Sequence, residues 1–177
     1  AQTLAVIEDL YRPYRPKRRT RAIIAKEKGL EPLANLILLQ QVTHPIEEEA
    51  KAYLNEEKEV HTVEGAIAGA KDIIAEHISD EAAYRMHIRK QTEKEGMMLS
   101  EAKDENAESV YEMYYHFEEP VQKLAGHRIL ALNRGEKEKI LTVKVQAPKD
   151  RILSYLEKKV IVAQNPYTTP ILREAIE

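Results

Sequence analysis

Apolar positions recur every three or four residues along most of this chain, the spacing of a buried helical face. In "TLAVIEDLY", Leu4, Ile7, Leu10 and Tyr11 predict a short amphipathic helix over 3–11. Pro13 and Pro16 end it. Each removes a backbone donor and biases the preceding residue, Arg12 or Arg15, towards extended geometry, so 12–19 is expected to be an extended strap. Thr20 suits the N-cap of "RAIIAKEK", and Gly29 falls just past its end. "LEPLANLILLQQ" places Pro32 near a helix start and runs through Leu36, Ile37, Leu38 and Leu39, which predicts a helix buried on most sides. Pro45 opens the next helix, where Glu47, Glu48 and Glu49 complement the dipole and Glu47 precedes Lys51 by four.

Thr62 is placed to cap "VEGAIAGAKDIIAEHI", about 24 Å of helix. Its Gly65 and Gly69 form a G-x-x-x-G that Lys71 and Asp72 exclude from a membrane. Glycines inside a helix cost about 1 kcal/mol each relative to alanine, so close approach of a neighbouring helix is the expected compensation. Ser79 is expected to cap a helix over 80–95 that stops at Gly96, with "MMLSEAK" as a short strand. "AESVYEMYYH", 107–116, reads as helix, Pro120 as the opening of a turn, and "HRILALNRG" as a helix that Gly135 terminates. "ILTVKV", 140–145, alternates as a strand does. A helix over 150–159, the turn "NPYTTP" and the opening of a further helix complete the chain. The expected fold is mainly α, an irregular multi-helix bundle with one or two short β-strands. Its expected parts are 1–105, carrying the strap, and a smaller helical and strand segment, 106–177.

Composition narrows the chemistry. With nine Tyr, one Phe and no Trp, the core must be mostly aliphatic. The absence of cysteine excludes disulfides, zinc–thiolate sites and thiol nucleophiles, and a reducing cytoplasm is the expected location. No uncharged run approaches the roughly 20 residues of a membrane span, and no signal-peptide pattern opens the chain. It reads as a piece of a longer protein. Net charge is −3, unevenly spread. Arg12, Arg15, Lys17, Arg18, Arg19, Arg21, Lys26 and Lys28 against Glu27 make +7, which leaves the remainder at −10. Such asymmetry implies either an external polyanion or internal docking of the basic segment on an acidic face.

No phosphate-binding glycine loop, nucleophile elbow or H-E-x-x-H is present. His116 precedes Glu119 by three, but Pro120 breaks the helix that would place them together and no second pair exists, so no metal is expected. No catalytic residue, cofactor or enzymatic role is expected. His127 and Arg128 share a short helix and would ordinarily bond neighbouring carbonyls or carboxylates. The strap supports two readings. Its bases could neutralise phosphates, with Tyr11 or Tyr14 stacking on bases. Alternatively its arginines fork onto carboxylates of the same chain, and the acidic helices between 47 and 108 face a basic protein partner.

Taken together, "EDLYRPYRPKRRTRA", "KGLEPLA" and "EPVQKLAGHRILALNRGEKEKILTVKV" resemble the N-terminal half of the bacterial Tex family of transcription accessory proteins, over essentially the whole chain. The resemblance implies a cytoplasmic, multidomain nucleic-acid-binding protein. In it this helical region would precede an RNase H-like domain of the YqgF type, helix-hairpin-helix elements and an RNA-binding OB-fold domain. The matched positions are Pro13, Pro16, Lys17, Arg18, Arg19 and Arg21 in the strap, and His127, Arg128 and Arg134 in the second motif. They are candidate contacts without a catalytic role. The expected function is a helical scaffold that assists sequence-nonspecific RNA or DNA binding, with transcription machinery as a further partner and no membrane.

Overall fold

The computed structural model describes residues 19–177, so the expected helix over 3–11 and the strap through Arg18 lie outside the described residues. Two compact units share the chain. Of the described residues, one takes 19–86 and again Leu153–Glu177; the other is His87–Ile152.

In the first unit, α1 (Arg21–Glu27) begins where the Thr20 hydroxyl oxygen accepts the Ile23 amide at 3.2 Å. It ends at Gly29, whose φ of 79° only glycine adopts freely. There the amides of Gly29 and Leu30 return to the carbonyls of Lys26 and Ala25, at 3.0 and 3.2 Å, and satisfy the last turn. Helices α2 (Glu31–Leu39) and α3 (Ile46–Ala50) follow, and a 3₁₀ turn continues α3. Thr62 caps α4 (Val63–Asp80) by accepting the Gly65 amide at 2.9 Å. This long helix is the axis of the unit: α1, α2, α3 and the last helix all pack on it. Its buried face, Ala66, Ala70, Ile73, Ile74 and Ile78, begins with small residues that admit Ala22 and Ala25 of α1. A Cβ at Gly69 would overlap the Leu30 δ-methyl and come within 3.3 Å of the Ala25 Cβ, whereas one at Gly65 would meet only the Thr62 hydroxyl. Only Gly69 in the G-x-x-x-G therefore serves helix–helix approach.

The two sequence-distant parts of this unit are joined by side-chain amides. Gln40 ends α2 in the left-handed region, φ 58°, and is 5% exposed. Its Nε2 donates to the Val160 carbonyl at 2.8 Å, and its Oε1 accepts the amides of Val162 and Ala163 at 3.0 and 3.2 Å. Asn165 reciprocates by donating to the Val42 carbonyl at 2.8 Å. Helix α5 (Ala82–Glu95) begins in this unit and α7 (Lys149–Val160) ends in it, with Tyr84 and Tyr155 meeting edge to face at 6.1 Å between centroids. Helix α8 (Thr169–Ile176) closes the chain and buries Leu172 and Ile176.

The second unit is a three-stranded antiparallel sheet in the order β2-β1-β3, covered on one face. Its strands are β1 (Met97–Ala102), β2 (His116–Pro120) and β3 (Leu141–Gln146). Ser100 is flanked by Phe117 and Val143, which fixes Met98, Ser100 and Ala102 on the covered face. Helix α6 (Gly126–Lys137) and three buried tyrosines, Tyr111, Tyr114 and Tyr115, complete the core with Leu132 and Leu141. The Tyr115 hydroxyl donates to the Ala107 carbonyl at 2.6 Å, as a buried phenol must find a partner.

The mainly α architecture is as the pattern predicts, and the caps at Thr20 and Thr62 form. Among the described residues there are three strands, where one or two were expected. Residues 107–116 are not helical: a 3₁₀ turn, Glu112–Tyr114, leads directly into β2, because burying Tyr111, Tyr114 and Tyr115 together under the sheet requires the tighter turn. Helix α4 runs through Ser79, and the break falls at Glu81, since Ile78 still belongs to the buried face. Gly135 does not terminate α6 but lies inside it; a Cβ there would overlap the Leu141 side chain. Helix α2 is buried on one side only, leaving Leu39 exposed. The expected 105/106 boundary falls in the loop between β1 and β2, within the second unit.

Candidate nucleic-acid interface

Arg19, Arg21, Lys26 and Lys28 are the described members of the basic segment; the first three are exposed and Lys28 is half-buried. Helix α1 sets their positions. Its N-terminus is anchored on α4, where the Thr20 hydroxyl donates to Glu76 at 2.7 Å while it also caps the helix. Arg19 pairs with Glu27 at 2.8 Å and Arg21 approaches Asp72 at 3.9 Å, yet their side chains stay 66% and 87% exposed. At the other end, Lys28 donates to the Glu59 carbonyl at 3.5 Å, and a Cβ on Gly29 would lie 3.4 Å from the Lys58 ammonium. Lys26, Lys28 and Lys58 therefore gather at the C-terminal end of α1, where the helix dipole favours cations. Lys58 was not legible as a member of this group, because the Asn55–Val60 turn that delivers it is a tertiary neighbour of α1. Tyr11, Arg12, Tyr14, Arg15, Lys17 and Arg18 lie outside the described residues.

The second motif separates into two roles. Arg128 is turned towards the sheet, 5.5 Å from the centre of the Phe117 ring and 3.8 Å from Glu119, so its guanidinium is engaged in packing. His127 and Arg134 are exposed on α6, two turns apart, with Leu130 between them 66% exposed. His116 faces away from Glu119, since residues three apart on a strand point to opposite faces, and it contacts Glu105 at 3.1 Å.

A cleft of about 820 Å³ in the second unit was not anticipated. It is lined by His87, Lys90, Gln91 and Lys94 from α5, by Gln122, and by Arg151 from the start of α7. The α5 residues recur at i, i+3, i+4 and i+7, which marks one helix face and was readable in the sequence.

No helix among the described residues is long and apolar enough to cross a membrane. Residues 41–168 match the family model described as Tex central region-like. The chain is 51% identical over 177 residues to the protein YdcI of Bacillus subtilis, covering 98% of this chain and 25% of that one. It is 40% identical over 148 residues to protein Tex of Bordetella pertussis, covering 82% and 18%. Over 154 residues it is 29% identical to the human S1 RNA-binding domain-containing protein 1, covering 81% and 15%. The chain thus spans a quarter or less of the length of these relatives. On the family match and on helices, sheet and motifs that fall within it, the chain belongs to the Tex family of transcription accessory proteins.

Proposed function

We propose that this segment is a helical scaffold that contributes sequence-nonspecific nucleic-acid contacts to a Tex-type transcription accessory protein, through the cationic face of α1. The observation that carries the reading is the exposure of Arg19 and Arg21 despite their carboxylate neighbours. Exposed ion pairs of this kind contribute about 0–1 kcal/mol, so an arriving phosphate displaces them at little cost. The rival reading, in which these arginines dock internally and the acidic helices meet a basic protein, requires pairs that hold the guanidiniums away from solvent. Phosphate contacts of this kind position a strand without reading its sequence. The name of two more distant relatives, S1 RNA-binding domain-containing protein 1, agrees with nucleic acid as the partner.

The test is fluorescence anisotropy of the chain with a labelled oligouridylate over a range of salt. Charge reversal at Arg19, Arg21 and Lys26 should weaken binding for all sequences alike. It should also lower the slope of log affinity against log salt by about 2, at about 0.7 per single-strand phosphate. An unchanged slope would remove α1 from the interface.

A further inference from the structure

We infer that the cleft beside α5 in the second unit is a second phosphate-binding subsite for a nucleic-acid strand, with Lys90 and Lys94 as its contacts. The inference rests on the nucleic-acid reading above and adds a distinct site to it. A hydrogen-bonded ladder runs along one row of α5 and across to α7. His87 Nε2 and Gln91 Oε1 are 3.0 Å apart, Gln91 Nε2 donates to Glu95 at 3.3 Å, and Arg151 donates to the other Glu95 oxygen at 2.6 Å. The ladder has two consequences. It neutralises the one carboxylate beside Arg151, and it fixes the cleft wall by pairing its members with each other.

Lys90 and Lys94 stand on the adjacent row. Both are exposed, and among the described residues neither enters an ion pair. Glu93, on the same turn, is the remaining acid of the lining, so the unneutralised lining charge is positive. About one helical turn separates the two backbone positions, roughly 6 Å along the axis, and the flexible side chains can adjust the spacing of their ammonium groups. That is a separation that neighbouring phosphates of a flexible strand can match. Gln122, also in the lining, supplies a neutral amide. The lining holds no Phe, Tyr or Trp, and its one imidazole, His87, is engaged with Gln91, so the occupant is recognised through its backbone. A volume of about 820 Å³ is within the roughly 300–1,000 Å³ of ligand clefts.

The experiment compares the unsubstituted chain with Lys90→Glu/Lys94→Glu, using a fluorescein-labelled oligouridylate over a salt series. The α1 variant of the preceding section serves as reference. The double substitution should lower the salt slope by about 1.4, from two phosphates at about 0.7 each. With a methylphosphonate oligouridylate, whose backbone is uncharged, the two proteins should bind alike. Lys90→Gln/Lys94→Gln should give the same direction with the far-UV spectrum unchanged, which separates lost contacts from lost fold. If the α1 variant loses slope and both cleft variants do not, the cleft is no subsite while the α1 reading stands. If no oligonucleotide binds the unsubstituted chain, both fail. If the cleft variants keep oligouridylate binding but lose binding to polyglutamate, the site takes an acidic peptide and the inference is overturned.

Discussion

Substituting Gly135 by alanine probes how closely α6 packs on β3. A Cβ at this position would overlap the Leu141 δ-carbon, lie 2.8 Å from its γ-carbon and 3.4 Å from the Tyr111 ring. Leu141 is fully buried, and its backbone is held by pairing with β1, so it has no direction in which to yield. Overpacking of this sort costs about 1–3 kcal/mol. The helix propensity gained on replacing glycine, about 1 kcal/mol, opposes it. Gly126→Ala supplies the control: it begins the same helix, and its Cβ would meet nothing within 4 Å. Gly126 is the first residue of the helix and gains less propensity than the interior Gly135, so Gly135→Ala should be the less stable of the two by about 1–2 kcal/mol. In urea, with a slope of about 2 kcal/mol per molar, that is a midpoint separation on the order of 1 M. Hydrogen exchange of peptides covering β1 and β3, measured across a urea series, reads this unit by itself. In a Leu141→Ala background the clash disappears and Gly135→Ala should become neutral or stabilising. Coincident midpoints for the two glycine variants, or additivity with Leu141→Ala, would refute the packing argument.

Gln40→Ala would leave the Val160 carbonyl and the Val162 and Ala163 amides without their side-chain partner. A cost of about 2–4 kcal/mol is expected from stranding such groups, and a thermal unfolding shift equivalent to under about 1 kcal/mol would contradict it. Burial pushes the Tyr111 phenol above the ordinary value of about 10, with Glu138 adding to the rise and Arg134 opposing it; burial and Glu81 do the same to Tyr84. Above about pH 10 the unfolded chain has released these protons while the folded chain retains them, so stability should fall as pH rises until the folded phenols ionise. Alkaline titration of stability should show that fall, and Tyr111→Phe should make it shallower.

What the sequence made legible was whatever is decided within one or two turns of chain. Thr20 and Thr62 cap because a β-region threonine before a helix can reach the third amide, a purely local geometry. Gly29 leaves its helix left-handed for an equally local reason. Gly135 looked the same in one dimension, and its actual constraint is Leu141 across the fold. The tyrosine-rich stretch before β2 carried a helical spacing, yet three phenyl rings needed under one sheet outweighed local propensity. For the candidate site, the cations of α1 were readable as a charge run, and the row His87, Lys90, Gln91 and Lys94 was readable as a period. That Glu95 would be neutralised by Arg151, and Arg128 turned onto Phe117, depended on contacts between residues far apart in the chain.

The order of the chain gives those distant contacts a thermodynamic consequence. The Gln40 amide joins residues 120 and more positions apart, because the first unit is interrupted by His87–Ile152. Were that insert a flexible loop of about 65 residues, closing it would cost roughly 4 kcal/mol of chain entropy. It is instead a folded sheet with its own core. Near its two ends Glu95 and Arg151 are bonded at 2.6 Å, so folding of the insert already brings the chain's exit and return points together. Much of the closure cost is thereby removed before Gln40 meets Val160. Melting the insert restores that cost, and the first unit must then lose up to a few kcal/mol. This coupling needs only the covalent chain, and it makes a packing defect such as Gly135→Ala in the second unit a weakness of the unit that carries Arg19 and Arg21.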